Sequence, residues 1–228
     1  VEDTRAANIA RNIKSQTIKD QLQQAADTAV QKAVEAVVRD IRVYFLLDIS
    51  SSMSASIEQG KRHLAKFVQG IPLDRLHVAT FNTVGRVVEI KHASTAGVEQ
   101  AFRGIHASGG TAHAQGIKTL SQFKPKEDED TLLVVVGDGG EYERFDAAVR
   151  TSGLRPSAFG FVQVPGQNYG CVESTAVALG IQCFLIDERT FDDPYAIPRT
   201  LRALIASTPV SSTRHVATPS KRKTLIEQ

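Results

Sequence analysis

Two stretches of this chain bring oxygen-bearing side chains to places where they can gather a cation. In the first, the apolar run Val43-Tyr44-Phe45-Leu46-Leu47 stops at Asp48, and Ser50, Ser51 and Ser52 follow within four residues. In the second, Leu132-Leu133-Val134-Val135-Val136 runs into Gly137-Asp138-Gly139. Between them lies Ser108-Gly109-Gly110-Thr111, just ahead of a helical pattern. Asp48, Ser50 and Ser52 alternate in position, so an extended turn can aim all three at one point. One carboxylate and two hydroxyls form an oxygen-only donor set, which suits hard cations such as Mg2+. Each fragment alone is commonplace. Ser and Asp are frequent turn formers and N-caps, and Thr111 can serve only to cap the helix after it.

The elements around these fragments give them a position. Unbroken apolar runs rich in β-branched and aromatic residues suit central strands of a parallel sheet, covered on both faces. Ser56 to Ile71 reads as an amphipathic helix, with Ile57, Leu64, Phe67, Val68 and Ile71 on one face and a capping-box spacing between Ser56 and Gln59. Arg75 to Phe81 is expected as a second strand and Arg86 to His92 as a third, joined by the short Asn82-Thr83-Val84-Gly85 turn and therefore antiparallel at the edge. Gly97 to Ile105 reads as a short helix, and Thr111 to about Phe123 as another. Strand four is Leu132 to Gly137, strand five Ala158 to Val164 and strand six Ile181 to Asp187. Helical segments are expected over Glu143 to Thr151, Val172 to Leu179 and Asp193 to Ala206. Alternating strands and helices argue a doubly wound, mostly parallel six-stranded sheet with one antiparallel edge strand and helices on both faces. In such sheets ligands bind beyond the carboxyl ends of the strands, where Asp48 and Asp138 stand.

Asp48-Ile49-Ser50-Ser51-Ser52, the Gly-Gly-Thr ending at Thr111 and the strand-terminal Asp138-Gly139 together resemble the von Willebrand factor A (VWA) domain and its metal-ion-dependent adhesion site, MIDAS. The resemblance covers about residues 41 to 207. Ser51 departs from the pattern, since the family often has Gly there. The resemblance implies a Rossmann-like fold, with Ser50 and Ser52 coordinating Mg2+ directly and Asp48, Asp138 and Thr111 acting directly or through water. Mn2+ and Ca2+ accept the same oxygens. It implies that an acidic residue of a partner protein completes the coordination sphere. It also implies work inside a larger intracellular assembly, beside a MoxR-type AAA+ ATPase or as the C-terminal part of a Ro-type protein with an upstream RNA-binding domain. His106 and His113, which flank the Gly-Gly-Thr turn, and Glu141 are read as rim residues that shape partner choice.

Composition narrows the remaining classes. The chain has 228 residues, 42% hydrophobic and 23% charged, which suits one α/β domain with extensions. A net charge of +2 gives no argument for direct nucleic-acid binding. No apolar stretch is long enough to span a bilayer. Two cysteines, Cys171 and Cys183, and no signal pattern favour a reducing, cytoplasmic setting, with a disulfide between the two left open. The chain begins at Val1 and its one methionine is Met53, so a piece of a longer protein is expected. Residues 1–40 are expected as a helical extension or linker, 41–208 as the VWA domain and 209–228 as a flexible basic tail. Ser50 and Ser52 lack the flanking glycines of a nucleophile elbow, and the position that would carry the second aspartate of a haloacid-dehalogenase phosphatase is Ser50. An adhesive, non-enzymatic module is therefore expected, with a metal-dependent hydrolase as the lesser alternative.

Overall fold

The computed structural model describes residues 41–127 and 129–186, together with Thr200, Ala203 and Leu204. The expected N-terminal helix, most of the last expected helix and the basic tail lie outside the described residues. Six strands form one sheet: β1 (Ile41–Asp48), β2 (Leu76–Phe81), β3 (Gly85–Val88), β4 (Asp130–Gly137), β5 (Ala158–Gln163) and β6 (Gln182–Leu185). Their order is β3-β2-β1-β4-β5-β6, parallel throughout except for the β2–β3 hairpin. This is the expected mixed, doubly wound sheet. The chain winds from β1 toward β2 on one side and toward β4 on the other, so the sheet's direction of winding reverses at β1.

The period-2 alternation of β1 divides the core into two layers. Val43, Phe45 and Leu47 pack with Leu64, Phe67 and Val68 of α1 (Ile57–Gly70) and with Val98 of α2 (Thr95–Ala101). Tyr44 and Leu46 face the other way. They pack with Ile117 and Leu120 of α3 (His113–Leu120), Val149 of α4 (Asp146–Ser152), and Val172 and Ala176 of α5 (Cys171–Leu179). Both layers are closed, which is why β1 and β4 carry near-continuous apolar runs.

Three local expectations are corrected. The third strand ends at Val88 rather than His92: the chain leaves the sheet there, and Ile90, half-buried, packs against the core layer that holds α1 and α2. The following helix accordingly starts earlier, at Thr95, with the Ser94 hydroxyl accepting the Gly97 N–H at 3.1 Å. The capping box at Ser56 does not form. Ser51–Ala55 make a 3-10 turn that holds Ser56 at φ −116°, ψ −7°, and its N–H donates to the Met53 carbonyl. A residue already in helical geometry cannot swing its hydroxyl back onto the next turn.

Candidate metal centre

The polar cluster sits at the carboxyl end of β1, and backbone geometry explains its shape. Asp48 is fully buried, and its Oδ1 accepts the Ser50 N–H at 2.7 Å, which turns the chain out of the strand. That turn brings the Ser50 and Ser52 hydroxyls within 3.0 Å of each other. Ser50 is buried and Ser52 exposed, so the pair runs from the interior to the surface.

The Gly-Gly-Thr loop is fastened onto this turn by its backbone. Ser51 N–H donates to the Gly109 carbonyl at 2.9 Å and Ser108 N–H to the Ile49 carbonyl at 2.8 Å. Asn82 adds a side-chain bond to the Ser108 carbonyl at 2.7 Å. Gly109 adopts φ +77°, a conformation that disfavours other residues, and this lets the loop double back. Thr111 is half-buried two residues further on and caps nothing: the N-cap of α3 is Ala112, without a side-chain bond. The reading of Thr111 as only a helix cap therefore fails, and its hydroxyl is left for another use.

Asp138 arrives from the other side of β1. Leu47 pairs with Val136, so one step further Asp48 lies beside Gly137 and Asp138 follows. A Cβ on Gly137 would come within 2.9 Å of the Asp48 Cβ, so Asp48 occupies the space that a side chain there would fill. Asp138 Oδ1 accepts the Gly140 N–H at 2.9 Å. Its carboxylate is enclosed by backbone: a Cβ on Gly166 would lie 2.3 Å from the Asp138 Cβ and 2.7 Å from its Oδ2.

The electrostatics are unbalanced. Asp48 Oδ2 and Asp138 Oδ2 are both buried and have no hydrogen-bond partner. Burial pushes the Asp48 carboxyl up to about 6, against the bonds from Ser50 and the charge of His113, and the neighbouring Asp138 adds to the rise. The structure thus brings Asp48, Ser50 and Ser52 into contact, sets Asp138 beside them through the strand register, and docks the loop of Thr111 onto their turn.

Of the two histidines expected at the rim, His106 is exposed, whereas His113 is buried and is no rim residue. His113 is fully buried, with its ring stacked on Phe145 (centroids 4.9 Å apart) and tilted against Phe81 at 4.7 Å. Glu141, half-buried, takes both the His113 backbone N–H at 2.8 Å and Nδ1 at 2.6 Å. Donor atoms of His113, Glu141 and Cys171 lie within 4.8 Å of one another, an arrangement of metal-ligating types. Hydrogen bonding already accounts for it. Nδ1 is hydrogen-bonded to the carboxylate, and the Cys171 thiol, pushed up to about 12 by burial, donates to the Glu143 carbonyl at 2.9 Å. Both cysteines are free thiols.

Sequence reasoning missed Gly140, Gly166 and the Glu141 clamp. The Gly139-Gly140 pair and the Pro165-Gly166 turn were the available signals. It also missed the stacked tyrosines Tyr142 and Tyr169, whose rings lie 3.9 Å apart next to the Asp138 loop and of which Tyr142 is 78% exposed.

Residues 43–141 match the family described as von Willebrand factor type A domain, and these residues contain every proposed site position. No curated protein sequence matches the chain. Among solved structures, the chain is similar to an aerotolerance-related membrane protein from Bacteroides fragilis (18% identity, 74% of this chain and 100% of that one, TM-score 0.56). It is similar to the conserved hypothetical protein BatB from Bacteroides thetaiotaomicron (17% identity, 74% and 100%, TM-score 0.56). It is also similar to a von Willebrand factor type A protein from Catenulispora acidiphila (16% identity, 73% and 42%, TM-score 0.51). The family match covers less than half of the chain, and together with the shared fold it supports a VWA-type domain around residues 43–141. Among the described residues, no helix is long and apolar enough to cross a membrane.

Proposed function

We propose that Asp48, Ser50, Ser52, Thr111 and Asp138 hold a divalent cation, Mg2+ by availability, and that the domain binds an acidic residue of a partner protein there. The observation that carries this reading is the pair of buried carboxylate oxygens, Asp48 Oδ2 and Asp138 Oδ2, delivered by adjacent strands and left without hydrogen-bond partners. Two buried carboxylates side by side are unfavourable unless a positive charge compensates them. Every donor in the set is oxygen, two of them charged, which fits a hard divalent ion and leaves little net charge behind. A bound Mg2+ would supply one position for an anionic oxygen from outside. The chain's residues do the rest: Ser52 carries the donor set to the surface, and the backbone bonds of Ser51 and Ser108 hold the loops together.

We read the site as one for recognition rather than catalysis: His113, which follows the Gly-Gly-Thr loop, is packed between aromatic rings and already bonded to Glu141. The setting we propose is an intracellular assembly, with an AAA+ ATPase or an upstream RNA-binding domain among the candidate neighbours. The test is calorimetric titration of Mg2+ and Mn2+ into the chain and into Asp48→Ala and Asp138→Ala. Saturable binding in the parent, lost in both variants with circular dichroism unchanged, is expected. Equal heats in all three proteins would overturn the assignment.

A further inference from the structure

On the β2 side of the site, away from Asp138, the turn after β1 borders a pocket of about 270 Å³. Ile49, the residue between Asp48 and Ser50, forms part of its wall, as does Ser108 of the docked loop. The pocket is therefore contiguous with the metal centre. Its lining is of two kinds. Ile49, Ile105 and Val84 are apolar, and Val84, at the tip of the β2–β3 hairpin, is 66% exposed. Arg86 and His106 are exposed and basic, and no acidic residue lines the pocket. Among the described residues Arg86 makes no ion pair, unlike Arg42 and Arg75, which share Glu129. Cofactors and drug-sized ligands fill roughly 300–1,000 Å³. This pocket falls just short of that range and suits a single side chain.

Resting on the function proposed above, we infer that this pocket is the partner's second anchor. It takes an apolar side chain from a protein segment whose first acidic residue stands at the metal centre and whose second acidic residue faces Arg86 and His106. Charge complementarity selects this occupant. A divalent ion and the Arg86 guanidinium present positive charge on either side of an apolar floor, with the His106 ring as a further hydrogen-bonding group, so an acidic segment with an apolar residue between its acids fits, and a basic one is rejected. The spacing is short, since Ile49 is the immediate neighbour of two site residues. In an extended segment successive residues advance about 3.3 Å, which places the apolar residue within two positions of the first acid.

The experiment pans a displayed random heptapeptide library against the full 228-residue chain in Mg2+, elutes with EDTA, and measures the enriched peptides by fluorescence polarisation. Peptides with two acids around an apolar residue are expected. Arg86→Glu and Val84→Asp should each weaken them by about tenfold or more while the calorimetric Mg2+ affinity is unchanged. A peptide whose second acid is replaced by Lys should recover affinity for Arg86→Glu, which a merely structural role for Arg86 would not produce. Metal-dependent peptides that bind both variants as well as the parent would overturn the pocket assignment and leave the metal-dependent function standing. If EDTA releases no peptide, the function proposed above fails and the pocket assignment fails with it.

Discussion

The site depends on residues that carry no donor atoms as much as on those that do. Asp138 can lie where it does because Gly140 and Gly166 have no Cβ, and Asp48 because Gly137 has none. An alanine at 166 would put its Cβ 2.3 Å from that of Asp138, closer than such atoms approach, so either the 164–168 loop or the carboxylate must shift. The backbone bonds Val164 N–H to Gly137 carbonyl (3.0 Å) and Tyr169 N–H to Gly139 carbonyl (3.2 Å) tie that loop to the Asp138 turn, so the displacement falls on the carboxylate. Gly166→Ala should therefore lower Mg2+ affinity by about tenfold to a hundredfold, as other supporting-shell changes do, while the chain keeps its circular dichroism. Calorimetry on the variant checks this, and an unchanged affinity would show that Asp138 has room the structure denies it.

At the scale of elements, the site loops are joined by a clamp between helix and loop. α3 lacks a side-chain cap of its own, and Glu141, 28 residues further on, accepts its first N–H together with the His113 ring nitrogen. The clamp fixes the start of α3, and with it the Thr111 loop, to the loop that carries Asp138. Glu141→Ala leaves a fully buried imidazole without its partner, which should cost about 1–3 kcal/mol in urea unfolding and weaken Mg2+ binding in parallel. Glu141→Gln can still accept from one of the two donors and should restore most of the stability. None of this was legible in the sequence, whereas the strands and the gathering of Asp48, Ser50, Ser52 and Asp138 at the strand ends were. Strands β1 and β4 announce themselves because both their faces are buried, and Asp48 and Asp138 stand out because each ends such a run. Glu141, Gly166 and the end of β3 at Val88 depend on which loops the topology brings together, and a local pattern holds no record of that.

Across the whole molecule the two ends of the sheet are built for different tasks. The carboxyl ends of β1 and β4 gather uncompensated acid, and the opposite ends are closed by a compensated network. Glu129, in what reads as no more than a charged loop, bridges Arg42 of β1 at 2.8 Å and Arg75, just before β2, at 2.5 Å. The Arg42 hydrogen bond, with help from the Lys126 N–H and the charges of both arginines, holds the Glu129 carboxyl down at about 2. Beside it His77 is stacked on Phe123 (centroids 4.4 Å apart) and faces the Arg42 guanidinium at 2.6 Å, and burial together with that charge lowers its imidazole to about 4. Both shifts have the same sign for stability, in different windows. His77 is neutral in the fold and protonates more readily when unfolded, so stability falls as the pH drops from about 6.5 toward 4. Glu129 is ionised in the fold and protonates first when unfolded, so its contribution is complete above about 4.5 and is lost as the pH falls toward 2. Asp48, raised to about 6, gains stability over the same upper window as the pH falls, so in urea titrations from pH 7 to 2.5 each loss is read as the difference between the parent and a variant. His77→Phe should remove the upper one and Glu129→Gln the lower one, each on the order of 2 kcal/mol after allowance for the partly exposed arginines. The Glu129→Gln chain should be the less stable at pH 7 and should approach the parent at pH 2.5. A variant as stable as the parent at neutral pH would mean that the network contributes nothing to the fold and that the sheet's amino ends are held by packing alone.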